Sequence, residues 1–372
     1  RKDSLATQIY RDLYREDKDF EDVAGRLRDL GVTISEEPAK DVIEGTVFSE
    51  DISRSDEADT LKPGQTLGRY EVVKELGRGA MGIVYLCQDP TLERSVAIKT
   101  FKFSELADEE KLAKIKSDFI REAKLAGKLN HPHIVTIFDA GEDWDLSYIA
   151  METIAGKELK EDCSPGNLLP IAEVIKTITT LAGTLDYAHK GGVIHRDIKP
   201  ANIMVTEEGI LKIMDFGIAL VKGEIAAIAG TPSYMAPEQF KKEAVDGRTD
   251  LYALGIIFYE LLTGGKPFQA TDVAALKEKI INQPVSDLIR EKVPGPPEIH
   301  NIIERLLEKD KEKRFATGEE LAGALEQIEI SDDGASAQEP AGETTKEGEA
   351  TVVFDETVAD IGQNTTVKGE DP

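Results

Sequence analysis

Apolar residues fall into distinct patterns along this chain. Over the first 31 residues Leu5, Ile9, Leu13, Phe20, Val23, Leu27 and Leu30 recur at helical intervals broken by the polar run from Glu16 to Asp19, which predicts two short helices. From Tyr70 the period changes. The runs YEVVKEL (70–76) and IVYLC (83–87), rich in β-branched and aromatic residues, flank a glycine-rich GRGAMG and predict strand, turn, strand. A further strand is predicted at VAIK (96–99), and residues 108–130 carry helical spacing that ends near HPHIV. SYIAMETIAG (147–156) fits a buried strand, and no run of 18 apolar residues occurs anywhere, so no membrane span is expected. Two stretches lack any such pattern: 36–62 holds 9 acids against 3 bases, and 331–372 holds 11 against 2. Segments of that composition bury too little apolar surface to offset their ordering entropy, so the first reads as a linker and the second as a disordered tail.

The chemistry concentrates in residues 195–217, HRDIKPANIMVTEEGILKIMDFG. An acid able to accept a hydroxyl proton, Asp197, and an acid able to hold magnesium, Asp215, stand on either side of a predicted short hairpin, with Asn202 five residues after Asp197. That pairing is the chemistry of phosphoryl transfer. Upstream, Gly77, Gly79 and Gly82 give G-x-G-x-x-G, which a dinucleotide-binding turn shares. A dinucleotide turn opens a helix, whereas Ile83, Val84 and Tyr85 continue at once as a strand, so a hairpin lid is the better reading. Glycine allows backbone N–H groups to approach phosphates because no Cβ intervenes. Lys99, on the following strand, can hold the α and β phosphates as a point charge.

HRD, the following Asn and DFG at this spacing resemble the catalytic and magnesium-binding loops of the protein kinase family, over about Tyr70 to Ile328. The resemblance implies an α+β, bilobal protein kinase fold, with a small antiparallel-sheet N-lobe containing one helix, αC, and a larger, mainly helical C-lobe. It implies a domain at 67–330, divided near 152 and 153, preceded by a helical pair at 1–35 and an acidic linker at 36–66 and followed by the tail at 331–372. Nucleotide contacts would come from Gly77, Arg78, Gly79, Ala80, Met81, Gly82 and Val84. Ala97 and Met204 would sandwich the adenine ring, Met151 would be the gatekeeper, and the backbone of Glu152 and Ile154 would bond the adenine edge. Glu122 matches the glutamate of αC that pairs with Lys99, and the metal ligands would be Asn202 and Asp215. The implied cofactors are ATP and Mg²⁺, with Mn²⁺ as a substitute.

Lys199, two residues after Asp197, resembles the lysine of serine/threonine kinases that touches the γ-phosphate and Thr231, so protein Ser and Thr hydroxyls are the implied acceptors. GTPSYMAPE (230–238) matches the family's substrate-docking loop, DLYALGIIFYELLTG (250–264) its long buried helix beginning at Asp250, and Glu238 with Arg314 its buried ion pair. The compact loops look most like the bacterial branch. A pseudokinase scaffold is the alternative; such proteins typically lose one of Lys99, Glu122, Asp197, Lys199, Asn202 or Asp215, and all six are present.

Charge and cysteine content narrow the picture. With 71 acids against 45 bases, nucleic acid and anionic membrane are disfavoured as partners. Without a secretory signal, the expected location is cytoplasmic. Cys87 is expected in the core and Cys163, in DCSPG, at the surface; two cysteines make neither a disulfide framework nor a metal site. The helical pair faintly resembles the last unit of a tetratricopeptide-type array, which fits a chain that starts at Arg1, or simply docks on the kinase lobe.

The family often switches by phosphorylating a residue after DFG, where the phosphate meets the HRD arginine, here Arg196. Residues 218–229, IALVKGEIAAIA, contain no Ser, Thr or Tyr. The expectation is constitutive competence or control from the flanks, with Glu224 as a partner for Arg196; the alternatives are an inhibitory helix or alanines substituted for native threonines. Thr46, Thr351 and Thr357 are expected autophosphorylation targets. Asp360, three residues after Thr357, gives the spacing of a forkhead-associated domain's phosphothreonine ligand.

Overall fold

Strand alternation divides the amino-terminal sheet into two faces. The computed structural model describes residues 60–79, 82–102, 109–143, 146–216 and 232–329. The two predicted amino-terminal helices, most of the linker, the acidic tail, Ala80, Met81 and the stretch 217–231 with Glu224 and Thr231 lie outside them. Six antiparallel strands, β1 (Thr66–Leu67), β2 (Tyr70–Gly79), β3 (Gly82–Asp89), β4 (Arg94–Lys102), β5 (Ile137–Asp143) and β6 (Leu146–Met151), run in the spatial order β1-β2-β3-β4-β6-β5. Residues two apart share a face. Val96, Ile98, Tyr148 and Ala150 therefore pack with Tyr70, Val72, Tyr85 and Cys87 on one side, and Ala97, Phe101, Ile149 and Met151 on the other.

The second face is covered by helix α1 (Glu109–Ala126), whose Ile115, Phe119 and Ala123 lie four apart and pack against it. Phe119 stands 4.8 Å from Phe101, centroid to centroid. The helix stops at Ala126, short of the expected 130, because Gly127 follows and the last turn tightens to Lys128 N–H to Leu125 O and Leu129 N–H to Ala126 O. HPHIV then pins this end of α1 to the opposite lobe: Val135 N–H donates to Ile213 O and Ile213 N–H to His133 O.

The C-lobe core is built on α2 (Ile171–Lys190) and α4 (Gly247–Thr263), preceded by the short α3 (Pro237–Lys241) and joined by α5 (Val273–Asn282), α6 (Ser286–Lys292), α7 (Pro297–Leu306) and α8 (Gly318–Glu326). Helix α4 is buried from Thr249 to Leu262, capped by the Asp246 side chain on Arg248 N–H and ended by Gly264 in the left-handed region. The expected hairpin after Asp197 is present as β8 (Ile203–Thr206) and β9 (Leu211–Ile213), with β7 (Gly156–Glu158) alongside.

Cys87 is buried as expected, but Cys163 is buried too, not a surface thiol. DCSPG reads as a turn, yet Leu159–Cys163 form a 3₁₀ helix that places both Leu159 and Cys163 in the C-lobe core. Glu238 and Arg314 make the expected ion pair, both 2 % exposed. Arg314 Nη1 donates to Glu238 Oε1 and Nη2 to Oε2, each at 2.8 Å. Burial works to raise the Glu238 carboxyl, but the Arg314 hydrogen bonds and charge overcome it and hold it below the usual carboxylate range.

Candidate active site

The catalytic loop takes its shape from one buried carboxylate. Asp250, in the first turn of α4, accepts from His195 N–H (2.8 Å) and Arg196 N–H (2.7 Å), and lies 2.8 Å from His189 Nε2. These bonds hold Arg196 at φ +64°, a left-handed conformation that a side chain disfavours; Gln239 Nε2 donates to its carbonyl at 3.0 Å. Asp197 is thereby presented on a fixed backbone. Its Oδ2 accepts from Asn202 Nδ2 at 3.0 Å, the same amide donates to Asp197 O at 2.8 Å, and Lys199 Nζ lies 3.3 Å from Oδ2.

Asp215 sits at φ +62° just past β9, and His195 Nε2 lies 2.7 Å from the carbonyl of Met214 before it. Its Oδ2 is 2.6 Å from Lys99 Nζ, in a pair whose side chains are 12 % and 17 % exposed. Lys99 is placed by register: it stands opposite Val84 on β3 and Ile149 on β6. Met214 N–H donates to Asn202 O at 2.8 Å, which joins the segment carrying the Lys99–Asp215 pair to the group of Asp197, Lys199 and Asn202.

Glu122 is arranged differently from expectation. A Lys99–Glu122 pair is not among the ion pairs of the described residues; Lys99 meets Asp215, and Glu122 Oε2 lies 4.0 Å from Arg196 Nη1. The physical reason is competition between partners. Lys99 offers one compact ammonium, already against Asp215, whereas Arg196 Nε and Nη1 are buried without a hydrogen-bond partner among the described residues and attract the carboxylate. At 4.0 Å the contact is electrostatic, not a hydrogen bond.

Some of the residues expected around the adenine ring share one apolar cluster. Ala97 and Met151 are register partners in the cluster on the α1 side of the sheet, and Val84, Ile154 and Met214 pack against that cluster. Met204 lies on β8 opposite Glu158. Glu152 N–H donates to Thr136 O at 3.0 Å, and its Oε1 accepts from Thr136 N–H at 2.7 Å and Lys212 Nζ at 2.8 Å. At the glycine turn Gly77 faces Val84, Arg78 faces Ile83 and Gly79 faces Gly82 across the β2–β3 pair. Gly82 has φ +150°, and a Cβ there would fall 1.7 Å from Thr100 O, so only glycine fits. Met214 and Lys212 are absent from the motif-based set. Met214 was findable by its place beside Asp215, while Lys212 meets Glu152 sixty residues away and carries no local signal.

Comparison with known proteins agrees with this geometry. The family model described as "Protein kinase domain" matches residues 70–324. A probable serine/threonine-protein kinase of Streptomyces coelicolor is 39 % identical over 278 residues, covering 71 % of this chain and 40 % of its own length. Serine/threonine-protein kinase PrkC of Bacillus subtilis is 35 % identical over 259 residues, covering 68 % and 39 %, and PknB of Mycolicibacterium smegmatis is 34 % identical over 274, covering 71 % and 43 %. The chain spans about two fifths of the length of these curated relatives. It belongs to the protein kinase family, in the Hanks-type branch of the bacterial serine/threonine kinases.

Proposed function

We propose that this chain is a serine/threonine protein kinase that moves the γ-phosphoryl group of ATP to protein hydroxyls. The observation that supports the reading is that Asp197, held by Asn202 and Lys199, and Asp215, held by Lys99, lie on segments joined by the 2.8 Å bond from Met214 N–H to Asn202 O. Phosphoryl transfer asks little covalent chemistry of a protein, so positioning and charge stabilisation do most of the catalysis. Asp197 accepts and aligns the substrate hydroxyl, with its carboxylate oriented by the Asn202 amide. Lys199 lies within reach of the same oxygen and of a phosphoryl group arriving there. Lys99 neutralises nucleotide phosphates as a point charge.

The residues present fit a magnesium ion. Asp215 and the Asn202 side-chain oxygen are hard ligands, and among the described residues no group of three or more His, Cys, Asp or Glu could hold a metal by itself. That is the sparse oxygen set Mg²⁺ uses when phosphates complete its shell. When bound, the ion would supply charge neutralisation on the β and γ phosphates. The Glu152 N–H is committed to Thr136 O, so adenine would be read by the Glu152 carbonyl and Ile154. Among the described residues no helix is long and apolar enough to cross a membrane.

The test is radiolabelled transfer from ATP with Mg²⁺ to a generic basic protein, comparing the chain with Asp197→Asn. Transfer should fall by about two to four orders of magnitude in the variant. Equal label in both, or none in a chain that binds ATP, would overturn the reading in favour of a scaffold. Mapping the same sample at Thr46, Thr351 and Thr357 tests the proposed phosphothreonine docking site, which fails if all three stay unmodified in an active sample.

A further inference from the structure

The segment before the first strand is laid on the glycine-rich hairpin as a strap. Leu61 N–H donates to the Tyr85 hydroxyl at 3.1 Å, Gly64 N–H to Val72 O at 2.9 Å and Val72 N–H to Gln65 O at 2.8 Å, while Leu61 packs on the outer face of the sheet. At the strap's start, Arg78 Nη2 donates to Thr60 Oγ1 at 3.0 Å. Arg78 stands between Gly77 and Gly79 of the nucleotide turn, and its guanidinium is shared with Glu75 at 3.1 and 3.3 Å. A threonine hydroxyl and an arginine of the nucleotide turn are therefore already in contact, 18 residues apart in sequence.

We propose that Thr60 is a phosphorylation site of this kinase and that Arg78 holds the phosphate, tying the strap to the nucleotide turn. The inference rests on the kinase reading above. The Thr60 hydroxyl of one copy attacks the γ-phosphorus of ATP in another. The Oγ–P bond forms as the bond to ADP breaks, and the hydroxyl proton is released. Transfer runs between copies because the strap's bonds to Tyr85 and Val72 anchor Thr60 to its own sheet. The product carries about −1.5 to −2 charges and three acceptor oxygens. Guanidinium matches phosphate bidentately, so it outcompetes the singly charged Glu75 carboxylate for Arg78. Pinning Arg78 to the strap transmits the modification to the turn expected to cover the nucleotide.

The experiment mixes active chain with an Asp197→Asn chain and ATP, maps phosphate on the inactive copy, and follows amide exchange of residues 61–66 before and after. Phosphate on Thr60, with exchange slowed by about tenfold or more, is the expected result. In inactive chains also carrying Arg78→Ala the phosphate should form without that slowing, and Arg78→Lys should retain part of it. Label on a generic protein but none on Thr60 of the inactive copy overturns this inference and leaves the kinase reading intact; no label anywhere overturns both. Slowing that is the same without Arg78 overturns the clamp.

Discussion

Arg314→Met isolates the energetics of the C-lobe anchor. The guanidinium it removes makes the two 2.8 Å bonds to Glu238, and also donates to Glu308 O at 2.8 Å, Arg248 O at 3.2 Å and Lys309 O at 3.4 Å. What remains is a carboxylate 2 % exposed with the Thr249 hydroxyl, at 2.9 Å, as its side-chain donor. Stranding a buried charge this way costs about 3–5 kcal/mol. The double variant Glu238→Gln, Arg314→Met removes the charge as well and should recover roughly half of that loss, because a pair replaced together avoids the uncompensated ion. The pH dependence gives a second reading. In the parent chain the Glu238 carboxyl is held below its ordinary value, so its contribution is present above about pH 4.5 and lost as pH falls through the folded value. Without Arg314, burial acts alone and raises the carboxyl above its ordinary value, so the penalty is largest near neutrality and shrinks as acid neutralises the group. Urea unfolding followed by circular dichroism at pH 5 and pH 7.5 measures both effects. A cost below about 1 kcal/mol, or one that is equal at the two pH values, would refute the account of a stranded carboxylate.

Other consequences can be checked separately. Burial pushes the Cys87 and Cys163 thiols up to about 12, so neither should react with iodoacetamide at pH 8 in the native chain, and modification of Cys163 ahead of unfolding would contradict its place in the core. Lys309, whose Nζ donates to Ile280 O at 2.7 Å and lies 4.0 Å from the centre of the Phe268 ring, is lowered by burial to about 8. The unfolded chain therefore binds more protons between about pH 8 and 10.5, stability should rise across that window, and Lys309→Met should abolish this component of the slope. Gly318→Ala, at the start of α8, would place a Cβ 2.1 Å from Ala182 O in α2 and should cost roughly 1–3 kcal/mol in denaturant unfolding; an unchanged midpoint would show that α8 shifts freely on α2.

Local pattern and motif spacing carried different parts of the structure. Apolar runs rich in β-branched and aromatic residues located β2, β3, β4 and β6, and the catalytic motifs located Lys99, Asp197, Asn202 and Asp215, because these residues act within a few positions of turns they themselves define. Pairings between distant residues were legible only where a family pattern prescribed them, as for Glu238 with Arg314. Glu122 shows the limit: its residue type and helix were readable, but whether it faces Lys99 or Arg196 depends on a competition among four charges from four chain segments. Cys163 and the Arg78–Thr60 contact were missed for the same reason. A five-residue 3₁₀ helix and a strap give no periodicity, and their burial is decided by what they pack against.

The grip of Asp250 on two successive amides sets a relation between accuracy and folding. A carboxylate 1 % exposed in the first turn of a helix buried from Thr249 to Leu262 is held by the packing around it, and the backbone that carries Asp197 copies its position. The loop is spared an energetic landscape of its own. Sequence drift on the surface, or traffic of substrates past the loop, leaves the placement of the hydroxyl-aligning oxygen untouched, while a lesion deep in α4 that nudges Asp250 would blunt catalysis without touching any residue of the cleft.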